Sequence, residues 1–368
     1  MDRIVYKAVQ LLVGIGLAIL MVIQLFDSNA SFENLALGTQ TSTYQAKNAE
    51  GKLVHFLHLD SSEIVSLEQA LFQEKDSITL ILGNSQTHSI NQFQSGEVNY
   101  VELLQKKLGR SNSLYCLSFP NANLLEFYAT FDFVASKAKI KRVILPVFMD
   151  DLREEGIREA FFSQLYNARH QSISGDNSAK LINQIFSEKE ENTNLEKKGV
   201  QTTQERTENW LNEELNKHTS FWQKRENIRG NLFNWLYMLR NTAFGIRPGS
   251  VRKMIPSAYK QNLQALNDLI QRCHKVNIEV ILYVPPIRSD IPMPYDINEY
   301  KQFLTDLDQM RRKHQLPVIP NYTKIIPGKY WGYKEATNFI DNKEIDFMHF
   351  QYAGHRILAD SLLALINK

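Results

Sequence analysis

Cysteine is almost missing from this 368-residue chain, which holds only Cys116 and Cys273. Two lone cysteines exclude a disulfide framework as the main source of stability, and neither stands at metal-ligand spacing from another Cys or His. Their apolar and helical surroundings predict small buried core residues, with a single bridge open only in an oxidising compartment. An excess of charge of one sign is also lacking: 42 Lys and Arg stand against 40 Asp and Glu, a formal charge of +2. That balance argues against a protein that works by coating nucleic acid. There is no internal repeat. What is present is an apolar fraction of 43%, enough to bury a large core and to exclude general disorder.

The amino terminus carries Arg3 and Lys7 and then runs from Ala8 to Phe26 without a charge. With Ile4 to Tyr6 it approaches the roughly 20 residues a helix needs to cross a bilayer. Residues 1–26 are therefore expected to form a single-pass anchor in the cytoplasmic membrane. The basic leading side and Asp27 put the amino terminus inside and the rest of the chain outside. A cleaved signal ending near Ser28-Asn29-Ala30 is the competing reading, and it reaches the same compartment. A buried hydrophobic helix is the third. Residues 27–60, rich in Asn, Ser, Thr and Gln, read as a juxtamembrane stalk, with a short strand possible at 53–58.

From residue 61 onward the pattern is α/β. Helical spacing over 65–72 precedes an apolar run at 77–82, which reads as a buried strand. A helix at 101–109, a strand at 113–119, a helix at 123–139 and a strand at 142–148 follow. Residues of about 152–250 interrupt the alternation as a helical insertion; within it, 231–240 is a short helix loaded with large apolar groups, suited either to core packing or to contact with a membrane or membrane partner. The alternation resumes with a helix at 259–275, a strand at 278–286, a helix at 297–314, a short strand at 316–319 and a closing helix at 353–366. These elements predict one three-layer α/β/α domain over 61–368 with a mostly parallel sheet.

The first strand stops at Gly83 and presents Asn84, Ser85, Gln86, Thr87 and His88. Small polar residues at the carboxyl end of a buried strand occupy the place where open α/β sheets keep their reactive groups, so Ser85 is a nucleophile candidate. A serine needs a histidine to take its proton, and the histidine needs an acceptor that fixes its tautomer. Asp346 and His349, just before the closing helix, supply both types three residues apart, in what reads as a loop or first turn. His88 is a weaker base candidate, and His355 suits helix-terminal structure better than a metal site. A zinc site from three histidines is the remaining option, but no acidic-His cluster calls for it, and neither metal nor cofactor is expected.

Gly83-Asn84-Ser85 and Asp346-Phe347-Met348-His349 together resemble the two signature blocks of the SGNH (GDSL-type) hydrolase superfamily. The resemblance implies an SGNH-like fold, serine-dependent acyl transfer or ester hydrolysis, and oxyanion donors after the second and third strands. Asn121 falls at the family's Gly position, and Asp150 or Asp151 at its Asn position. An ionised carboxylate cannot donate to an oxyanion, so Asn84 or Asn123 becomes the alternative side-chain donor. Arg288, beyond Pro285-Pro286, could hold an anionic substrate group or pair with Asp290. Tyr330, Trp331 and Tyr333 could line a sugar groove or pack.

The expected anchor makes the chain similar to extracytoplasmic partners of membrane-bound O-acyltransferases, such as those of teichoic acid D-alanylation and alginate acetylation. That likeness implies an integral-membrane O-acyltransferase as partner and an acetyl or D-alanyl group moved to an envelope polysaccharide, teichoic acid or related glycopolymer. A membrane-tethered carbohydrate or lipid esterase is the first alternative. A non-catalytic assembly subunit is the second.

Overall fold

The computed structural model describes residues 41–58, 60–109, 113–158, 161, 165, 175–198, 203–247 and 249–367, together with Val13, Gly14 and Gly16. Strand β1 (Thr41–Thr43) and β2 (His55–Phe56) precede helix α1 (Ser61–Gln73) and β3 (Ile78–Gly83). The short α2 (Ser85–His88), β4 (Ser89–Asn91), α3 (Tyr100–Leu108), β5 (Leu114–Ser118), α4 (Leu124–Ala135) and β6 (Ile140–Pro146) follow. Helices α5 (Asn177–Lys198), α6 (Thr203–His218), α7 (Ser220–Gln223) and α8 (Arg225–Phe244) come next. The chain closes with α9 (Pro256–Lys275), β7 (Glu279–Tyr283), α10 (Ile297–Lys313), β8 (Trp331–Glu335), β9 (Lys343–Phe350) and α11 (Tyr352–Ile366).

The central sheet has five strands in the order β2-β5-β3-β6-β7, and every neighbouring pair is parallel. Both faces are covered, which is why β3 reads as an apolar run interrupted only by Thr79 and is buried at all six positions. Leu80, Leu82, Leu117, Val143 and Leu282 face one way, into a core with Leu67 of α1, Phe127 and Phe131 of α4 and Leu266 of α9. Ile81, Cys116, Ile144 and Ile281 face the other way, against Val101 and Leu104 of α3 and Leu358 and Leu362 of α11. Strands β5 and β6 flank β3 on opposite sides, so the chain reverses its direction of travel across the sheet beside β3. Such a reversal opens a crevice at the carboxyl ends of the strands.

Contacts divide the chain into two units. The larger comprises 40–193, 248–333 and 345–368 and contains the central sheet. The smaller comprises 1–39, 194–247 and 334–344. The first part of α5 belongs with the larger unit, where Ala179, Ile182 and Phe186 enter the core.

Several expectations are corrected. The single, mostly parallel sheet of an SGNH-type domain is replaced by three sheets, because β1 pairs antiparallel with β4, and β8 pairs with β9, outside the central five strands. Asp346 and His349 lie within β9, a strand, and not in a loop or helical turn. Residues 316–319 form no strand, since Pro317 and Pro320 remove two backbone donors. Among the described residues no helix is long and apolar enough to cross a membrane, so none of them forms the expected transmembrane helix. The expected anchor at 1–26 lies outside those residues apart from Val13, Gly14 and Gly16, as do 27–40 and 59 of the expected stalk.

Candidate functional site

The Ser85 turn is built by two local devices. Asn84 caps α2, its Oδ1 accepting from the Gln86 amide at 3.1 Å. Gly83 allows α2 to fold back tightly, since a Cβ there would lie 2.2 Å from Thr87 Oγ1. Ser85 is then the first residue of α2, half-buried at the carboxyl end of β3.

Across the crevice, His349 Nε2 stands 3.0 Å from Ser85 Oγ. His349 Nδ1 lies 2.9 Å from Asp346 Oδ2, and because a carboxylate only accepts, Nδ1 carries the proton and Nε2 is left to accept from the serine. Asp346 is itself fully satisfied. Its Oδ1 accepts from the Met348 and His349 amides at 2.9 and 3.0 Å, and Oδ2 also accepts from Asn91 Nδ2 at 3.2 Å. Burial alone would raise this carboxyl, but His349 and the two amides outweigh it and hold it down at about 2. Asp346 is therefore ionised at neutral pH.

Two residues that the sequence reading passed over hold this geometry. Gln86 donates its amide to Pro286 O at 2.8 Å and Met348 O at 2.7 Å, tying the serine turn to the β7 end and to the residue before His349. Asn91 of β4 supports Asp346 and also donates to Tyr333 O at 3.2 Å. A polar residue directly after Ser85 and another on a following strand were the available signals. Nothing in the sequence said which carbonyl or carboxylate they would reach.

The remaining site candidates divide. Asn84 Nδ2 donates to Asp151 Oδ1 at 3.0 Å, and Asn123 Nδ2 to Gly156 O at 3.0 Å while its Oδ1 caps α4, so both side-chain donors are already committed. Asn121 is exposed in the turn after β5 with φ +52°, a left-handed conformation Asn tolerates, and the adjoining Phe119 amide bonds Gly83 O at 3.0 Å. Asp150 is taken up by Arg153, Arg252 and Tyr295. Asp151 is buried, with one carboxyl oxygen unpartnered. Burial pushes its carboxyl well above the usual range despite the Asn84 bond, which favours the neutral acid. Arg288 is buried and paired with Asp290 at 2.9 Å, and it donates to Gly332 O, so it is held in the frame of the protein. Trp331 packs edge-on against Phe350, whereas Tyr333 is exposed beneath the Arg288 guanidinium.

A second serine–histidine group sits nearby in the fold, since Ser118 aligns with Gly83 across β5 and β3. Its Oγ lies 2.7 Å from His55 Nε2 and 2.8 Å from His88 Nδ1. Asn99 Nδ2 approaches His55 Nδ1 at 3.2 Å, so that nitrogen accepts, His55 donates to Ser118, and Ser118 donates to His88. All three side chains are 0% exposed. Burial drives His55 down to about 3 and His88 well below its ordinary value, so both rings are neutral. Asp151 bonds Asn84, and the group at His55 Nδ1 is Asn99. His88, one of the sequence candidates for the base, is thus turned to Ser118 and not to Ser85. His355 accepts from the Tyr100 amide and donates to Ser89 O, a structural role.

No family model matches the chain. No curated protein matches it either. Among solved structures, the native aryl esterase of M. smegmatis is similar at 8% identity over 79% of this chain and 99% of that chain, with a TM-score of 0.35. An α/β hydrolase enzyme from the metagenome of Lake Arreo, Spain, is similar at 11% identity over 80% of this chain and 96% of that chain, with a TM-score of 0.36. The expected kinship is corrected: no family model matches, that of the SGNH superfamily included. At these TM-scores the likeness assigns neither substrate nor mechanism, and the chemistry rests on the site itself. That site is a serine-centred, triad-like arrangement of the kind that supports serine-dependent catalysis.

Proposed function

We propose that the protein is a serine esterase whose nucleophile is Ser85, with His349 as general base and Asp346 as its orienting carboxylate. The observation that carries this reading is the unbroken relay from Ser85 Oγ through His349 to the ionised Asp346, with its serine end open to solvent. Ser85 Oγ attacks the ester carbonyl as its proton passes to His349 Nε2, and the C–O bond to the alcohol breaks as that proton is returned to the departing alkoxide. Water then repeats the sequence on the acyl-enzyme. Backbone amides of Ser85 and of the turn around Asn121 are the oxyanion donors in this scheme, because the Asn84 and Asn123 side chains already donate within the fold.

The reaction belongs outside the cytoplasm, a placement supported by Arg3, Lys7 and the charge-free stretch 8–26. Transfer of the acyl group to a polysaccharide or related glycopolymer hydroxyl, with an integral-membrane O-acyltransferase as donor partner, is the finer reading. It rests on that amino terminus and requires only that a sugar hydroxyl replace water in the second step.

A fluorophosphonate probe tests the assignment. The expected result is a single adduct on the Ser85 peptide, absent in Ser85→Ala and strongly slowed in His349→Ala. An adduct on Ser118, or none on Ser85 in the folded full chain, would overturn it.

A further inference from the structure

In the smaller unit, α8 is amphipathic the wrong way round for a helix whose outer face meets only water. Its buried positions are polar: Asn231, Asn234 and Asn241 are all turned inward, Asn241 at 1% exposure with its amide donating to Thr337 O at 2.9 Å. Its outward positions include a cluster of large apolar groups. Leu232, Phe233, Trp235, Leu236 and Leu239 are all exposed, Phe233 at 62%, and recur at the spacing of one helical face. The patch continues onto the neighbouring segment through Phe339, whose ring is 6.0 Å from that of Trp235, and Ile340. A contiguous apolar surface of this kind marks a face that meets a low-dielectric partner.

Charge selects among partners. The helix carries Arg225, Arg229 and Arg240 against the single acid Glu226, with Lys224 just before it and Arg247, ion-paired with Asp341 at 3.4 Å, just after it. On an ideal helix, Arg225, Arg229 and Arg240 fall on the same half-turn as the apolar residues. A second copy of the chain docked by a two-fold axis would bring these like charges together. An interface of anionic lipid headgroups over acyl chains satisfies both features at once, with basic groups meeting phosphates and large aromatic and aliphatic groups entering the boundary.

We propose that α8 and the Phe339–Ile340 segment form a docking face for an anionic bilayer surface, lying in the interface plane. The inference is independent of the Ser85 assignment. It is tested with the full chain and vesicles of phosphatidylcholine with or without one third phosphatidylglycerol, some carrying brominated acyl chains. Trp235 fluorescence reports the contact even if another part of the chain also binds. The expected result is quenching by brominated acyl chains in anionic vesicles that loses its largest component in Trp235→Phe, weakens severalfold in Arg229→Gln/Arg240→Gln, and falls as salt is raised to half molar. Circular dichroism identical to the parent confirms that the variants fold. Quenching unchanged in Trp235→Phe, equal quenching by neutral vesicles, or a lipid-free dimer dissociated by Leu236→Glu would each overturn it.

Discussion

The two serine–histidine groups make a natural comparison because they share residue types and hydrogen-bond lengths and differ in everything around them. Ser85 is half-buried, and its histidine is backed by a carboxylate with four acceptor contacts satisfied. Ser118 is sealed between two histidines, and the group behind His55 is Asn99, which offers a donor and no negative charge. A base must become positive as it takes the serine proton, and only the first group has charge in place to support that. The difference teaches that distance alone does not define a nucleophile. Access and the group behind the histidine decide.

The largest effect should come from exchanging the two serines for alanine in turn. Ser85→Ala should lower ester hydrolysis by roughly 10⁴-fold or more. Ser118→Ala should leave kcat within about threefold while lowering stability by about 1–3 kcal/mol, since it strands two buried ring nitrogens. Rates on a chromogenic acetate ester and urea unfolding midpoints of the two variants would separate the groups, and a reversed ranking would dismiss the reading of Ser118 as structural.

Next in size is the carboxylate. Asp346→Asn should cost on the order of 10³–10⁴-fold in kcat, because the amide can donate to Nδ1 and hold the wrong tautomer. Its effect on stability has a defined window. The Asp346 carboxyl is depressed to about 2 from an ordinary 3.8, so the stability it contributes is complete above 3.8 and is lost as pH falls towards 2. The buried histidines act earlier. His55 and His355, both lowered to about 3 from 6.5, take up protons only on unfolding, so stability should already decline as pH falls below 6.5. Denaturation midpoints between pH 7 and 5 should therefore fall in the parent and fall less steeply in His55→Gln, with Asp346→Asn parallel to the parent over that range.

How much of this was legible differs by element. The central sheet was readable because strands covered on both faces are nearly continuously apolar, as Ile78–Gly83 is but for Thr79, and helices such as Pro256–Lys275 keep a helical spacing. The pairings β1–β4 and β8–β9 were not, since strands of three to eight residues with mixed burial carry no period long enough to register. Ser85, Asp346 and His349 could be singled out by type and order, whereas the burial that neutralises His88 and the partners that occupy Asn84, Asn123 and Arg288 depend on residues far away in sequence. The family read from those motifs is corrected, because two short blocks do not fix a sheet arrangement, and the membrane span, read separately from the charge-free run 8–26, lies almost wholly outside the described residues.

Gln86 sharpens the contrast at a smaller scale. Its amide spans from the serine turn to Pro286 O and Met348 O and so sets the approach of Ser85 to His349. Gln86→Ala should reduce kcat by about 10–100-fold with KM little changed and the protein still folded, and Gln86→Glu should not rescue it, because a carboxylate cannot donate to two carbonyls. A loss confined to KM would place Gln86 in substrate binding.

The smallest effect, and the one of opposite sign, belongs to Asp151. Its carboxyl is pushed up by burial, so the folded state favours the protonated form; the stability tied to that proton is complete below the ordinary 3.8 and declines as pH rises towards the elevated value. Asp151→Asn keeps the shape, removes the ionisable proton, and preserves an acceptor for Asn84 Nδ2. It should therefore raise stability at pH 7 by about 1 kcal/mol and, by removing a contribution that declines with pH, make stability rise more steeply between pH 4 and 7, with kcat changed by less than about threefold. Asp151→Ala, which leaves Asn84 Nδ2 without its partner, should instead destabilise by about 1–3 kcal/mol. If Asn and Ala at this position lowered stability alike, Asp151 would be an ionised partner of Asn84, and the neutral-acid account of this side of the serine turn would be wrong.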